Sequence, residues 1–500
     1  MRKTCPETEA ADRLRSKHRT CEDARIDFQT VASSLRGWIV VGLLALPFAS
    51  AADPPNVILI VTDDQRPDTI AAHGNAVIRT PELDQLVREG TSFLRATCSN
   101  PICTPSRAEI ISGSTGFRNG VTDFGGRFAQ GAPLMAEWFR VAGYQTVYSG
   151  KWHNDGRPGN RGYTECRGLY FGGGGRWAKP QHDFAGRPVT GYRGWIFQEN
   201  DGQKYPDRGV GLTADISTKI ADAAIDAIRN KGDGPLFLHV NFTAPHDPLL
   251  IPPGWEDAYT AVDTLLPPNY LPQHPFDHGN FDGRDERLFR WPRTKLEVRT
   301  ELAAYYAVIS DVSRQVGRIR TALRQQQIEK NSIVVFTSDH GLAVGSHGLR
   351  GKQNMYDHTI GVPLILQGPG VPRDRRVNAQ CYLRDLFPTL CDLAGIAGPG
   401  KQIDGRSLEP VLKGVKTEVH PFIYGYFRKS QRMIRTPRYK LIDYPLADRR
   451  QLFDLQDDPH ERVNLISRGE HQQLAEDLMN QLNDWFSKQQ RQQAVIESGR

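Results

Sequence analysis

Cysteine is scarce in this 500-residue chain, seven in all, and no CxxC pair or Cys/His cluster of zinc spacing occurs. A disulfide-dense scaffold and a zinc ribbon are excluded. No apolar run reaches the ~20 residues that a membrane-spanning helix needs. The most apolar run, Trp38 to Phe48 (WIVVGLLALPF), falls well short of it. Neither sign of charge dominates, since 63 Lys+Arg against 57 Asp+Glu give only +6, scattered along the chain. That argues against a nucleic-acid partner and leaves an anionic small molecule or polymer open. Internal repeats are absent, as is low complexity beyond Gly172 to Gly175, so solenoids and propellers are excluded too. What remains is an ordinary globular composition, 39% hydrophobic and 24% charged, long enough for roughly two to three domains around a large core.

The apolar run follows Arg36 and precedes Ala49-Ser50-Ala51, the charge, core and small-residue order of a secretory signal. Residues 1–51 are read as a leader cleaved near Ala51, and the mature protein as exported, periplasmic or extracellular, with no stable membrane span. The charged stretch before the run exceeds a normal signal's first region and predicts a translation start nearer Val31. Setting aside Cys5 and Cys21 in that leader leaves Cys98, Cys103, Cys166, Cys381 and Cys391. In an oxidising compartment an odd thiol must be buried, reactive or chemically converted.

Several Val/Ile-rich runs pass directly into polar, chemically capable residues. Asn56 to Val61 leads into Asp63-Asp64, Gln145 to Tyr148 into Lys151-Trp152-His153, Leu236 to Val240 into His246, and Ser332 to Phe336 into Asp339-His340. Continuous apolar runs suit strands buried on both faces of a parallel sheet. Helical patterns over 80–89, 134–142, 214–228 and 302–323 alternate with them in a βαβ rhythm. The expected fold is α/β, a large, mostly parallel sheet sandwiched by helices over residues 55–379. Short strands near 422–427, 431–434 and 439–442 and a helix over 474–486 predict a smaller α+β C-terminal subdomain, residues 380–500. Segments 155–208 and 248–293 read as long insertions over the sheet edge. Ligands of open α/β sheets bind at the carboxyl ends of strands, so the four polar strand ends should converge.

Adjacent carboxylates at Asp63-Asp64 suggest a cation between them or a solvated turn, and Asp339-His340 strengthens the cation reading. In Cys103-Thr104-Pro105-Ser106-Arg107 the proline suits a first helical position, so a helix should start beside Cys103 and aim its amides and Arg107 at an anion. On these residues alone Cys103 is a structural cysteine, a thiol nucleophile or a converted residue.

The Cys-x-Pro-Ser-Arg pentapeptide resembles the hallmark of the type I sulfatases of the alkaline-phosphatase superfamily. The likeness runs from Asn56-Val-Ile-Leu-Ile-Val-Thr-Asp-Asp to Leu452-Phe-Asp-Leu, Asp458-Pro459, Glu461 and Asn464-Leu465. It departs at Ile111-Ser112-Gly113-Ser114, where the family reads Leu-Thr-Gly-Arg, and at His340, often Asn there. The resemblance implies a mixed, alkaline-phosphatase-like sheet and a formylglycine (3-oxoalanine) at Cys103, installed by a formylglycine-generating enzyme. It places the metal, Ca²⁺ or alternatively Mg²⁺ or Mn²⁺, on Asp63, Asp64, Cys103, Asp339 and His340. It puts Arg107, Lys151 and Lys352 on the sulfate oxygens, His246 as acid to the leaving alcohol, and His153 as base toward the formylglycine hydrate. Sulfate-ester hydrolysis on a sulfated carbohydrate is the reading preferred, with Tyr192, Arg193, Trp177, Trp195 and Trp255 as possible sugar contacts. The alternatives are a choline or aryl sulfatase, an N-sulfate, phosphoester or phosphonate hydrolase of the same superfamily, and a non-catalytic carbohydrate-binding relic.

Overall fold

The structure, a computed structural model, describes residues 53–498. The leader, the expected export signal and the expected translation start lie outside them. Among the described residues no helix is long and apolar enough to cross a membrane.

Nine strands form the main sheet: β1 (Asn56–Thr62), β2 (Thr91–Thr97), β3 (Gln145–Lys151), β4 (Glu165–Phe171), β5 (Ile196–Gln198), β6 (Leu236–Asn241), β7 (Ser332–Ser338), β8 (Leu364–Gln367) and β9 (Arg375–Tyr382). Their order is β5-β4-β3-β6-β1-β7-β8-β2-β9. All but β5 and β8 run the same way. The mixed, mostly parallel sheet expected from the sequence is therefore present. In the central strand β1, Ile58 pairs with Leu238 on one side and Val334 on the other. Side chains alternate across a strand, so Val57, Leu59 and Val61 enter one core while Ile58 and Ile60 enter a second. The first core is roofed by helices Cys103–Ser112, Met135–Val141 and Leu386–Leu393, the second by Pro81–Glu89, Ile216–Arg229 and Lys295–Gln325. Burial on both faces is why these strands read as unbroken apolar runs.

A second, antiparallel sheet follows: β10 (Ile423–Phe427), β11 (Gln431–Arg435), β12 (Tyr439–Tyr444) and β13 (Arg449–Asp454). Helix Gln472–Ser498 closes over it, packing Leu478, Leu482 and Phe486 onto Tyr426, Ile434 and Leu441.

Three expectations are corrected. Segment 155–208 is more than an insertion, because it contributes β4 and β5 to the main sheet. Helix Lys295–Gln325 begins seven residues before the expected Leu302, at a Thr294/Glu297 capping box. Pro105 occupies the third helical position rather than the first, since Cys103 opens the helix. A proline costs nothing there either, because the amides of the first turn have no intrahelical acceptor.

Candidate active site

Strands β1, β3, β6 and β7 lie side by side, so their carboxyl ends open onto one place. At the end of β1, Asp64 adopts φ 69°, a left-handed backbone uncommon for a residue with a Cβ. It is held there by Asp339 Oδ1, which accepts its N–H at 3.1 Å, and by the Tyr305 hydroxyl, which donates to its carbonyl. At the end of β3, Gly150 has φ 91°, and a Cβ there would lie 2.0 Å from the Asn241 carbonyl oxygen. Only glycine lets the two strands close up while the chain turns Lys151 inward. Beyond β7, the irregular loop carrying Lys352 is held from below by Glu286, which accepts the amides of Arg350 and Gly351 at 3.0 and 2.8 Å.

These elements bring the expected residues together in two tiers. Cys103, Lys151, His153, His246 and Lys352 line a cavity of about 440 Å³. Asp63, Asp64, Asp339, His340 and Arg107 lie buried beneath. Lys151 Nζ donates to Asp63 Oδ2 at 2.5 Å, and Lys352 Nζ donates to both Asp64 oxygens at 2.8 and 2.9 Å while standing 3.5 Å from Cys103 Sγ. His340 Nδ1 is 3.2 Å from Asp64 Oδ1. Arg107, one turn after Cys103, faces inward as well. Its donors are given to Asp339 Oδ2 (3.0 Å), Asn241 Oδ1 (2.6 Å) and the Thr62 carbonyl (3.2 Å), with Asp63 Oδ1 3.5 Å away. The expected contact of Arg107 with sulfate is thus replaced by a bracing role, because the guanidinium fork is spent on protein acceptors.

The electrostatics single out Cys103. All five described cysteines are buried and unpaired. Burial raises the thiols of Cys166 and Cys391 to about 12 and those of Cys98 and Cys381 well above the usual value. Burial acts on Cys103 in the same sense, but Lys151, Lys352 and His340 outweigh it and hold the thiol well below its ordinary range. Below the cavity the carboxylates diverge. Burial and Cys103 push Asp63 up, yet Lys151, His246 and Arg107 bring it down. Burial, with Asp63 adding to it, lifts Asp339 to about 7. His340 is raised to about 9, Asp339, Asp64 and Cys103 overcoming its burial. Of the two lining histidines, His246 is raised by Asp64, Asp63 and Asp247 against burial and Lys352, whereas burial lowers His153.

The donor set suits a hard divalent cation. Ligand atoms of Asp63, Asp64, Cys103 and His340 lie within 4.8 Å of one another, and Asp63 Oδ1 and His340 Nε2 are buried without a hydrogen-bond partner. Asp339 stands outside that group. Its oxygens accept from the amides of Asp64 and His340 and from Arg107, beside the set in which it was expected as a fifth ligand.

Some site residues escaped the sequence. Tyr192, expected only as a sugar contact, has its hydroxyl buried against Asp63 Oδ2 and its ring under Lys151 Nζ at 5.2 Å. Asn241 anchors Arg107 and is the last residue of β6, a position that the strand-end argument could have flagged. Trp195 reaches the cavity, whereas Arg193, Trp177 and Trp255 do not line it. Phe124, Arg284, Asp285 and Arg428 also line it and carried no sequence signal.

Comparison with known proteins places the chain in a family. The sulfatase family model matches residues 55–396, more than half the chain, and a model for the N-sulphoglucosamine sulphohydrolase C-terminal region matches 345–488. An ulvan-active sulfatase of Formosa agariphila is 28% identical over 86% of this chain and 80% of its own. A Δ4,5-hexuronate-2-O-sulfatase of Bacteroides thetaiotaomicron is 27% identical over 88% and 90%. A structure solved in complex with its substrate D-glucosamine-2-N,6-O-disulfate superposes with TM-score 0.70 at 22% identity, over 88% of this chain and 98% of that one. A phosphonate monoester hydrolase of Agrobacterium radiobacter does so with TM-score 0.70 at 21% identity, over 87% and 96%, sharing the fold.

Proposed function

Because the chain belongs to the sulfatase family and is a sulfuric ester hydrolase, we propose that it is exported and releases sulfate from a sulfated saccharide through a formylglycine formed at Cys103. The observation that carries this is the cavity itself. Five polar side chains from four segments, Cys103, Lys151, His153, His246 and Lys352, face one space above three buried carboxylates.

The reaction adds water across the ester, R–O–SO₃⁻ + H₂O giving R–OH and hydrogen sulfate. Asp63, Asp64, Asp339, His340 and residue 103 would hold a divalent cation, Ca²⁺ or in its place Mg²⁺ or Mn²⁺. Such an ion supplies fixed positive charge beside the sulfate oxygens and residue 103. Conversion of Cys103 by a formylglycine-generating enzyme supplies an aldehyde whose hydrate carries the attacking oxygen.

The chain's own residues do the rest. Lys151 and Lys352 present ammonium groups to the non-bridging sulfate oxygens, and Arg107 holds Asp63 and Asp339 where those lysines can be shared between carboxylate and substrate. As the S–O bond breaks, charge moves to the bridging oxygen, and His246 on the cavity wall is placed to protonate it. His153, beside Cys103 with Nδ1 lacking a partner, is placed to take a proton from residue 103 as sulfate leaves.

The outer wall supports a saccharide as leaving group. Trp195 and Phe124 line it beside Arg284 and Arg428, whose guanidinium groups are held by Asp247 and Asp285 and by Asp123. Relatives named for ulvan and for a hexuronate 2-O-sulfate, and the solved complex with a glucosamine disulfate, point the same way.

The deciding experiment is peptide mass analysis of residue 103 in protein from a converting host, run beside sulfate release from nitrophenyl sulfate and from a panel of sulfated sugars. An aldehyde or its hydrate, with release lost in Cys103→Ala, supports the proposal. A plain thiol in a host that converts another sulfatase, with no release, refutes it.

A further inference from the structure

Beyond the reaction cavity lies a second, larger one of about 640 Å³, and the two share Arg428 as a common wall. The second cavity is bounded by Phe117, Tyr426, Arg428, Lys429, Arg432 and Phe486. Its aromatic side is a rigid cluster. Phe117 and Tyr426 have ring centroids 4.6 Å apart, and Phe486 meets Phe117 edge-on at 6.0 Å. The rim is basic, with three cations in the lining against one carboxylate, Asp123.

Those cations are not equally committed. Arg428 pairs with Asp123 at 2.8 Å, and Arg432 with Asp443 at 2.5 Å while lying 5.4 Å from the Phe486 ring centroid. Lys429 is exposed and forms no ion pair among the described residues. Arg428 also adopts φ 50°, a left-handed backbone at the β10–β11 turn that sets it between the two cavities. Phe117, Tyr426 and Phe486 are buried in the core, so what the cavity offers a ligand is its basic rim, an exposed ammonium and two guanidinium groups, which suits the carboxylate or sulfate of an anionic sugar.

We propose that this cavity is a second saccharide subsite, adjoining the reaction cavity at Arg428, which binds an anionic sugar unit next to the one that loses sulfate. The inference rests on the reading of the substrate as a sulfated saccharide and deepens it: the substrate is an acidic oligosaccharide of at least two units. Arg428 contacts both units, and Lys429 supplies the uncompensated charge.

The test uses full-length converted enzyme hydrolysing nitrophenyl sulfate, with glucosamine 6-sulfate and chondroitin and heparin tetrasaccharides as competitors. The expected result is an inhibition constant about tenfold lower for at least one tetrasaccharide than for the monosaccharide. Lys429→Glu should remove that advantage, and Lys231→Glu, a charge reversal elsewhere on the surface, should leave it. Equal inhibition by all competitors, or an advantage that survives Lys429→Glu, would overturn the subsite. A different failure, no sulfate release by converted enzyme from nitrophenyl sulfate or from any sulfated sugar, would strike the proposed function.

Discussion

Lowering the pH from 7 to 5 should destabilise the protein by a calculable amount through His239. This residue lies mid-strand in β6, pairing with Leu59 of β1 and Tyr148 of β3. Its Nδ1 meets the Tyr163 hydroxyl at 2.7 Å, and its Nε2 is buried without a partner. Burial, aided by Arg107, lowers its pKa from 6.5 to about 3. The unfolded chain therefore binds a proton below pH 6.5 that the folded chain refuses until about pH 3, so stability is present above 6.5 and is lost as pH falls. With those two values the loss between pH 7 and pH 5 is about 2 kcal/mol. Replacing the imidazole by the non-titrating amide in His239→Gln should remove that increment, whatever the substitution costs at pH 7. The assay is urea unfolding of both proteins at the two pH values, read as a difference of differences. A pH increment unchanged in His239→Gln would refute the claim that this imidazole is held neutral by burial.

Three further predictions concern the site. In Lys151→Ala the Asp63 carboxylate loses its nearest cation and the substrate loses one of two ammonium groups, so kcat should fall by about 10³-fold in steady-state assays of sulfate release. Gly150→Ala places a methyl 2.0 Å from the Asn241 carbonyl at a φ of 91°. It should lower stability by about 3 kcal/mol or more and displace Lys151, measured as a fall in melting temperature together with activity. In protein from a host without converting activity, iodoacetamide under native conditions should alkylate Cys103 and spare Cys98, Cys166, Cys381 and Cys391, as read by peptide mass. Equal labelling of the five would contradict the electrostatic distinction between them.

What the sequence disclosed depended on how local the cause was. β1, β6 and β7 were legible because strands buried on both faces must be apolar throughout. β2 (TSFLRAT), β4 (ECRGLYF) and β9 (RRVNAQCY) are partly exposed, and their polar residues broke the pattern. Asp63, Asp64, Lys151, His153, His246, Asp339 and His340 were legible for a topological reason, since neighbouring parallel strands deliver their ends to one place. Arg107 was found but misassigned, because the sequence gives its direction from the helix and not the acceptors waiting there. Arg284, Asp285 and Arg428 come from irregular loops or a turn whose placement depends on distant packing, which no local pattern encodes.

The site's charges also bear on what the proposed conversion of Cys103 would change. Around Sγ, four cations (Arg107, Lys151, Lys352, His340) face the carboxylates of Asp63, Asp64 and Asp339 together with the Cys103 thiolate. With that thiolate in place the lysines are fully occupied: Lys151 by Asp63, Lys352 by Asp64 and Sγ. Turning the thiolate into a neutral aldehyde makes the site one unit more positive, whatever ion it also holds. The change falls beside Lys352, whose ammonium Cys103 and Asp64 together stabilise against burial. The proposed conversion would therefore do two things at once. It would supply the nucleophile, and it would release positive charge at the place where a sulfate monoester brings its single negative charge. A thiolate left at 103 would oppose that arrival by direct repulsion in a buried, poorly screened space.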